Sequence, residues 1–240
     1  MKYFSQKGQD EWALDILNHK KHGYFVDVGA SDGVGLSNTL TMERELGWKG
    51  LCIEPNPVFF ERLKINRKCA LSTDVVDFKN GNIVTFRVDN NALGGIVADD
   101  TDNNIAVRGS PSHIAHERPG WRPLAMATTM SRETKTLDVL LENAQAPSII
   151  DFLSLDVEGA ETRVLKNFPF DRYVFLTAVI ERPQPELEKI LFTHGYVFVR
   201  ESSTWNDTTM PYDSFYVHRS LPNFESVEKM PHVKIPRKDW

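Results

Sequence analysis

Cysteine is scarce in this chain: 240 residues hold two, Cys52 and Cys69. Two are too few for a disulfide framework, and both fall in segments that read as buried, so free thiols in a reducing compartment are expected. Long apolar runs are also missing, which leaves no membrane span. The opening residues, MKYFSQKGQDEW, lack the apolar stretch of a secretory signal, and a cytoplasmic protein is the expectation. Basic charge is not in excess either. Lys and Arg number 28 against 33 Asp and Glu, a net charge of −5, which argues against nucleic acid as a partner. There is no internal repeat and no low-complexity tract.

What remains is an ordinary globular composition, 41% hydrophobic and 25% charged, long enough to bury a full core. Strand and helix signals alternate. SQKGQDEWALDILNHKKHG carries Trp12, Leu14, Ile16 and Leu17 in a helix-like stretch. YFVDVG reads as a buried strand, GLSNTLTMERELGW as a helix, KGLCIEPN as a strand and VFFERLKINR as a helix. VVDF and NIVTFRV flank Asn80-Gly81 and read as a hairpin. Residues from about 91 to 133 show little periodicity and read as a long loop, functional rather than disordered given its aromatic, histidine and arginine content. TLDVLLENA, SIIDFLSLDVEG, AETRVLKNF, YVFLTAVIE, QPELEKILFTHG and YVFVRES then resume the alternation. DSFYVHR follows without a helix and is expected to be antiparallel. The pattern predicts an α/β fold, a mostly parallel sheet with helices on both faces. One domain is expected over residues 1–219, with a helical segment at 1–22 and an extended tail at 220–240.

Two phosphate-binding signatures are absent. The turn Gly29-Ala30-Ser31-Asp32-Gly33 places Ser31 where a dinucleotide fingerprint needs its middle glycine, and no Gly-Lys-Ser/Thr exists. Asp32 would also meet a phosphate head-on, an unscreened contact costing on the order of 1 to 4 kcal/mol at about 4 Å. Acids instead gather at the predicted strand ends: Asp27, Asp32, Glu54, Asp156, Glu158 and Glu181. Singly, each reads as a helix cap. Together they describe a crevice that rejects phosphate and suits a cation, and S-adenosylmethionine has a sulfonium and an ammonium. Glu54 is placed to accept hydrogen bonds from two ribose hydroxyls.

The segments SQKGQDEW, FVDVGASDG, SNTL, GWKGLCIEPNP, TLDVLL and FLSLDVEGAETRVL occur in the order found in the FkbM-like methyltransferases, and the chain resembles that family over roughly residues 4 to 200. The resemblance implies a Rossmann-like class I fold with seven strands, the last antiparallel. It also implies transfer of a methyl group from S-adenosylmethionine, typically to a hydroxyl of a sugar or glycan, a polyketide or a related metabolite. Carried onto this sequence, it sets Asp27, Gly29, Ala30, Asp32 and Gly33 around the methionine part of the cofactor. Glu54, Pro55 and Asn56 flank ribose and adenine, and Asn38 belongs to the matching SNTL segment. Ser5, Gln6 and Gln9 form a front motif over the pocket, and Asp156, Glu158 and Gly159 form a D-x-E-G signature beside the transfer centre. The same resemblance leaves the acceptor unassigned.

A hydroxyl acceptor needs a base, and Asp156 and Glu158 are the candidates. Histidines compete for that role: His113 and His116 in PSHIAHERPGW, and His194 before a helix-stop glycine, the last reading as a helix cap. Trp121, Arg118, Arg122 and Glu181 are candidates for contact with the acceptor. Asp156, Glu158 and Glu181 would suit a divalent cation that binds a diol, but nothing in the sequence demands one and no metal is assigned. Methylation of a nitrogen, carbon or macromolecular end, and a catalytically silent binding module, are the alternatives.

Overall fold

The computed structural model describes residues 1–89, 91–103, 127–203 and 211–233. In chain order the strands are β1 (Tyr24–Val28), β2 (Lys49–Ile53), β3 (Ala70–Ser72), β4 (Val75–Val76), β5 (Ile83–Arg87), β6 (Thr129–Lys135), β7 (Ile149–Leu155), β8 (Val174–Glu181), β9 (Tyr196–Ser203) and β10 (Pro211–His218). The helices are α1 (Gln9–Ile16), α2 (Leu40–Leu46), α3 (Pro57–Asn66), α4 (Leu137–Asn143), α5 (Glu161–Leu165), α6 (Pro185–Thr193) and α7 (Phe224–Glu228).

Seven strands form one sheet in the order β3-β2-β1-β7-β8-β10-β9. Every pairing is parallel except the two made by β10, as expected for a class I methyltransferase fold. Alternation along β1 shows why both faces are covered. Val26 and Val28 enter one apolar cluster with Leu140, Leu165 and Leu187 of α4, α5 and α6. Phe25 enters the other with Leu14, Met42 and Leu63 of α1, α2 and α3. Strand periodicity of two sends neighbours to opposite faces, and an apolar residue on each side requires a helix layer on each side.

The chain runs outward from β1 to β2 and β3, then returns to lay β7 and β8 on the other side of β1. That reversal opens a crevice at the carboxyl ends of β1 and β7, where open α/β sheets bind ligands.

Three expectations change. β4 and β5 do not form a hairpin: β6 lies between them, parallel to β4 and antiparallel to β5. The Gly81 N–H accordingly donates to Thr134 O at 2.9 Å. The strand β6 also takes residues 129–133 out of the loop region, its polar run TMSRETK having hidden it. Residues 220–233 are not an extended tail, because Leu221 and Val227 are buried in the α1 side of the core and Glu201 N donates to Val233 O at 2.9 Å.

Candidate active site

β1 ends at Val28 and the chain turns at Gly29, whose φ is +92°. A Cβ at Gly29 would collide with the carbonyl oxygen of Asp156, so only glycine lets the ends of β1 and β7 meet. Gly29 N and Ala30 N both donate to Ile53 O, at 3.0 and 3.1 Å, and Asp156 N donates to Val28 O at 3.0 Å. The turn is thereby stitched to β2 on one side and β7 on the other.

Two adjoining spaces open at this point, sharing Gly29, Ala92 and Asp156 in their walls. The larger, about 200 Å³, is polar and is lined by Gln6, Gln9, Asn38, Ser154, Glu158 and Asp213 among others. The smaller, about 40 Å³, is lined by Ile53, Phe59, Val75, Phe86 and Ile96, with Glu54 and Asn56 at its polar edge. Both oxygens of the buried Glu54 accept backbone N–H groups, Ser31 N at 2.8 Å and Asn56 N at 2.7 Å. Each carboxylate oxygen retains a second lone pair for a hydroxyl donor. Asn56 itself caps α3, accepting from Val58 N at 3.1 Å.

Asp27 is buried and accepts from Thr39 Oγ1 at 2.6 Å. Arg67 binds that threonine at 2.9 Å, Ser37 Oγ at 3.3 Å and Gly33 O at 3.4 Å, and it pairs with Glu43 at 2.9 Å. Asp27 thus anchors the 33–39 loop through a buried network. Asn38 donates to Ser154 Oγ at 2.9 Å, while its buried Oδ1 has no hydrogen-bond partner among the described residues.

Beyond Asp156 the floor is acidic. Oxygens of Asp156, Glu158 and Glu181 lie within 4.8 Å of one another. Glu158 and Glu181 share a cation, Arg182, whose Nη2 is 2.8 Å from Glu181 and 3.4 Å from Glu158. Desolvation, then the neighbouring Glu181 and Glu158 charges, hold the Asp156 carboxyl well above its ordinary pKa. Burial pushes Glu181 the same way, but Arg182 and a hydrogen bond from Asp156 bring it below the ordinary value. The two neighbouring carboxyls are thus pushed in opposite directions, Asp156 toward holding its proton and Glu181 toward releasing it.

The FkbM methyltransferase domain matches residues 27–200. The chain belongs to that family. Methyltransferase sdnD of Sordaria araneosa is 26% identical, with 80% of each chain covered. A precorrin-6y C5,15-methyltransferase from Geobacter metallireducens GS-15 superposes at a TM-score of 0.41 and 12% identity, over 92% of this chain and 93% of its own. Membership of the FkbM family makes the chain an S-adenosylmethionine-dependent methyltransferase.

Most of the family-motif positions in this FkbM methyltransferase converge on the crevice. Gln6, Gln9, Asp27, Gly29, Ala30, Asn38, Glu54, Pro55, Asn56, Asp156 and Glu158 line one space or the other. Asp32 does not; its Oδ1 accepts from Val34 N at 2.9 Å and Gly35 N at 2.8 Å, closing its own turn. Gly33 lies against Leu63 and Arg67. Ser5 bonds the buried Asp10 at 2.5 Å, which also binds Thr41 at 2.7 Å; this pins the N-terminal segment. Glu181 sits behind Asp156, buried, not at the cavity surface. His194 stacks on Phe170 at 4.5 Å before β9, at the opposite edge of the sheet. His113, His116, Arg118, Trp121 and Arg122 lie outside the described residues.

Ser154, Tyr212 and Asp213 also line the polar chamber, and Arg182 contacts its Glu158, without having been singled out from the sequence. Asp213 pairs with Glu181 across β10 and β8 and accepts from Gln9 Nε2 at 2.8 Å and Ser202 Oγ at 3.1 Å. An antiparallel strand brings its first residues, not its last, to the ligand edge. Inspecting the start of the final strand would have found Tyr212 and Asp213.

Burial first, and nearby carboxylates second, raise Glu161 to about 8 and Asp213 to about 7, and burial raises Glu54 to about 7. These acids bind protons more tightly folded than unfolded, so stability is present at low pH and falls as pH rises from about 4 through 7 to 8. Glu43 and Asp89 shift downward, and their effect falls below about pH 4.5. The ligand-free protein is expected to melt at a higher temperature near pH 5.5 than near pH 8. A scanning-fluorimetry series across that range checks this, and a melting temperature that climbs with pH contradicts it.

Proposed function

We propose that this methyltransferase places S-adenosylmethionine across Gly29 and methylates a hydroxyl of a sugar, glycan or related metabolite. The observation that supports this most is the joining of an apolar slot and an acid-floored polar chamber at Gly29 and Asp156. Glu54 accepts the ribose hydroxyls with its remaining lone pairs, and Phe59 and Phe86 bound the adenine slot. Gln6, Asn38 and Asp27 hold the amino-acid end. When bound, the cofactor supplies an activated methyl group on a sulfonium.

The chain's own part is positioning and proton removal. Asp156 and Glu158 stand at the chamber floor, and one of them takes the acceptor hydroxyl's proton as the oxygen attacks. Orientation in line with the leaving group supplies several kcal/mol of the barrier, and the base contributes roughly 10²- to 10⁴-fold. An acid floor favours uncharged polyols over phosphorylated or carboxylated acceptors through simple Coulomb repulsion.

Calorimetry with S-adenosylmethionine and S-adenosylhomocysteine tests cofactor binding, and a panel of neutral sugars and hydroxylated metabolites with labelled donor tests the acceptor. Absence of binding to either nucleoside would remove the enzyme reading. Glu54→Ala is expected to weaken S-adenosylhomocysteine binding at least about tenfold, the loss of two charge-assisted hydrogen bonds. An unchanged affinity would mean that the ribose lies elsewhere.

A further inference from the structure

Arg182 follows β8 with φ +38°, and Glu158 in the turn after β7 has φ +57°. Side chains other than glycine enter this region at a cost, which persists where surrounding contacts over-determine the conformation. Those contacts meet on one nitrogen. Nη2 of the largely buried Arg182 lies 2.5 Å from Asp102, 2.8 Å from Glu181 and 3.4 Å from Glu158. Asp102 is also bound through its backbone, its N–H donating to Glu158 O at 3.0 Å. Packing is tight enough there that a Cβ on Gly159 would strike the Asp102 backbone.

Asp102 closes a segment with a direct place in the site. Ala92 and Leu93 wall the polar chamber, and Gly94, Gly95 and Ile96 wall the apolar slot. Asn103 Nδ2 donates back to Leu93 O at 3.3 Å, so residues 92–103 are held as one wall. A further ionic tie of the segment, Arg163 to Asp100 at 3.0 Å, uses an exposed aspartate and contributes little.

We propose that Arg182 is a positioning residue for methyl transfer: a single guanidinium nitrogen fixes the carboxylates of Glu158 and Glu181 and, through Asp102, holds the 92–103 wall against the reaction centre. This rests on the cavity being the methyl-transfer site. The wall and the proton-accepting floor then move as one body, and loosening the clasp uncouples them without emptying the slot around Glu54.

Hydrogen exchange on the full chain with S-adenosylhomocysteine tests this in Arg182→Met, Arg182→Lys and Asp102→Asn. In Arg182→Met, amides of the 92–103 wall are expected to exchange roughly tenfold faster or more, as for loss of a charge-assisted hydrogen bond, with β7 and β8 unchanged. Asp102→Asn should loosen the same segment. Arg182→Lys should restore part of the protection, since an ammonium keeps the charge without the fork. With an acceptor from the panel, kcat should fall about tenfold or more while the S-adenosylmethionine KM stays within about threefold. Wall protection equal to wild type in Arg182→Met, or loss spread evenly over the sheet, overturns the clasp. Failure of the wild-type protein to bind S-adenosylhomocysteine would instead remove the cavity assignment beneath it.

Discussion

Asp156→Asn is expected to lower kcat by about 10²- to 10⁴-fold, the range for loss of a general base, with S-adenosylhomocysteine affinity changed less than about tenfold. Among the described residues Asp156 is the one acid in the walls of both spaces, at the point where the strand order reverses. Its backbone is fixed by the bond to Val28 O, so the substitution removes charge without moving the turn. In the ligand-free protein its carboxyl is held well above the usual carboxylate range by desolvation, then by Glu181 and Glu158. Neighbouring positive charge lowers a carboxyl's pKa. A cationic donor in the chamber would therefore favour ionised Asp156, which could then take the acceptor's proton. Glu181, kept ionised by Arg182, stands behind it to share that proton. Two measurements separate this from Glu158 acting alone. The acidic limb of the kcat–pH profile should vanish in Asp156→Asn and persist in Glu158→Gln. If Asp156→Asn retains kcat within threefold and Glu158→Gln does not, the base is Glu158.

The acids were visible in the sequence because a parallel sheet puts the ends of its strands on one edge, and apolar runs such as YFVDV and DFLSL mark those ends. The logic failed where backbone geometry, not position, decides direction. Asp32 stands at the right height, but two N–H groups of its own turn capture it. Tyr212 and Asp213 enter from a strand running the other way, whose start lies beside the end of β8. Arg182 follows Glu181 directly, with nothing in the neighbouring sequence to mark it. Its left-handed backbone swings it back over the acids, and no local pattern announces that. Asp102 and Leu93 come from a stretch without periodicity, so only tertiary contact places them. The lost hairpin has the same origin: Asn80-Gly81 is a sound turn signal, but strand β6, polar and remote in sequence, takes the pairing.

Gly29→Ala is expected to cost more than an alanine at Gly35 or at the other described glycines with open or side-chain surroundings. The backbone at Gly29 is left-handed, φ +92°, which costs an alanine about 1 to 2 kcal/mol before any contact is considered. The added Cβ then meets the carbonyl oxygen of Asp156, a backbone atom that cannot rotate away. Relief requires the ends of β1 and β7 to separate, breaking the Asp156 N to Val28 O bond at the centre of the sheet. Together these effects amount to about 3 kcal/mol or more, within the range of large single-site losses, and a melting temperature about 10 °C lower. Cofactor binding should fall with it, because both spaces share that junction. Gly35→Ala is the matched control. A Cβ at Gly35 would meet only the Asp32 carboxylate, at 3.6 and 3.8 Å, an ordinary contact with a side chain. It should melt within about 2 °C of wild type, consistent with a change below roughly 0.5 kcal/mol. If Gly29→Ala melts as Gly35→Ala does and still binds S-adenosylhomocysteine, the approach of β1 to β7 is not what shapes the site. A loss confined to Gly29→Ala makes the absence of one side chain the feature that lets cofactor, base and sheet meet.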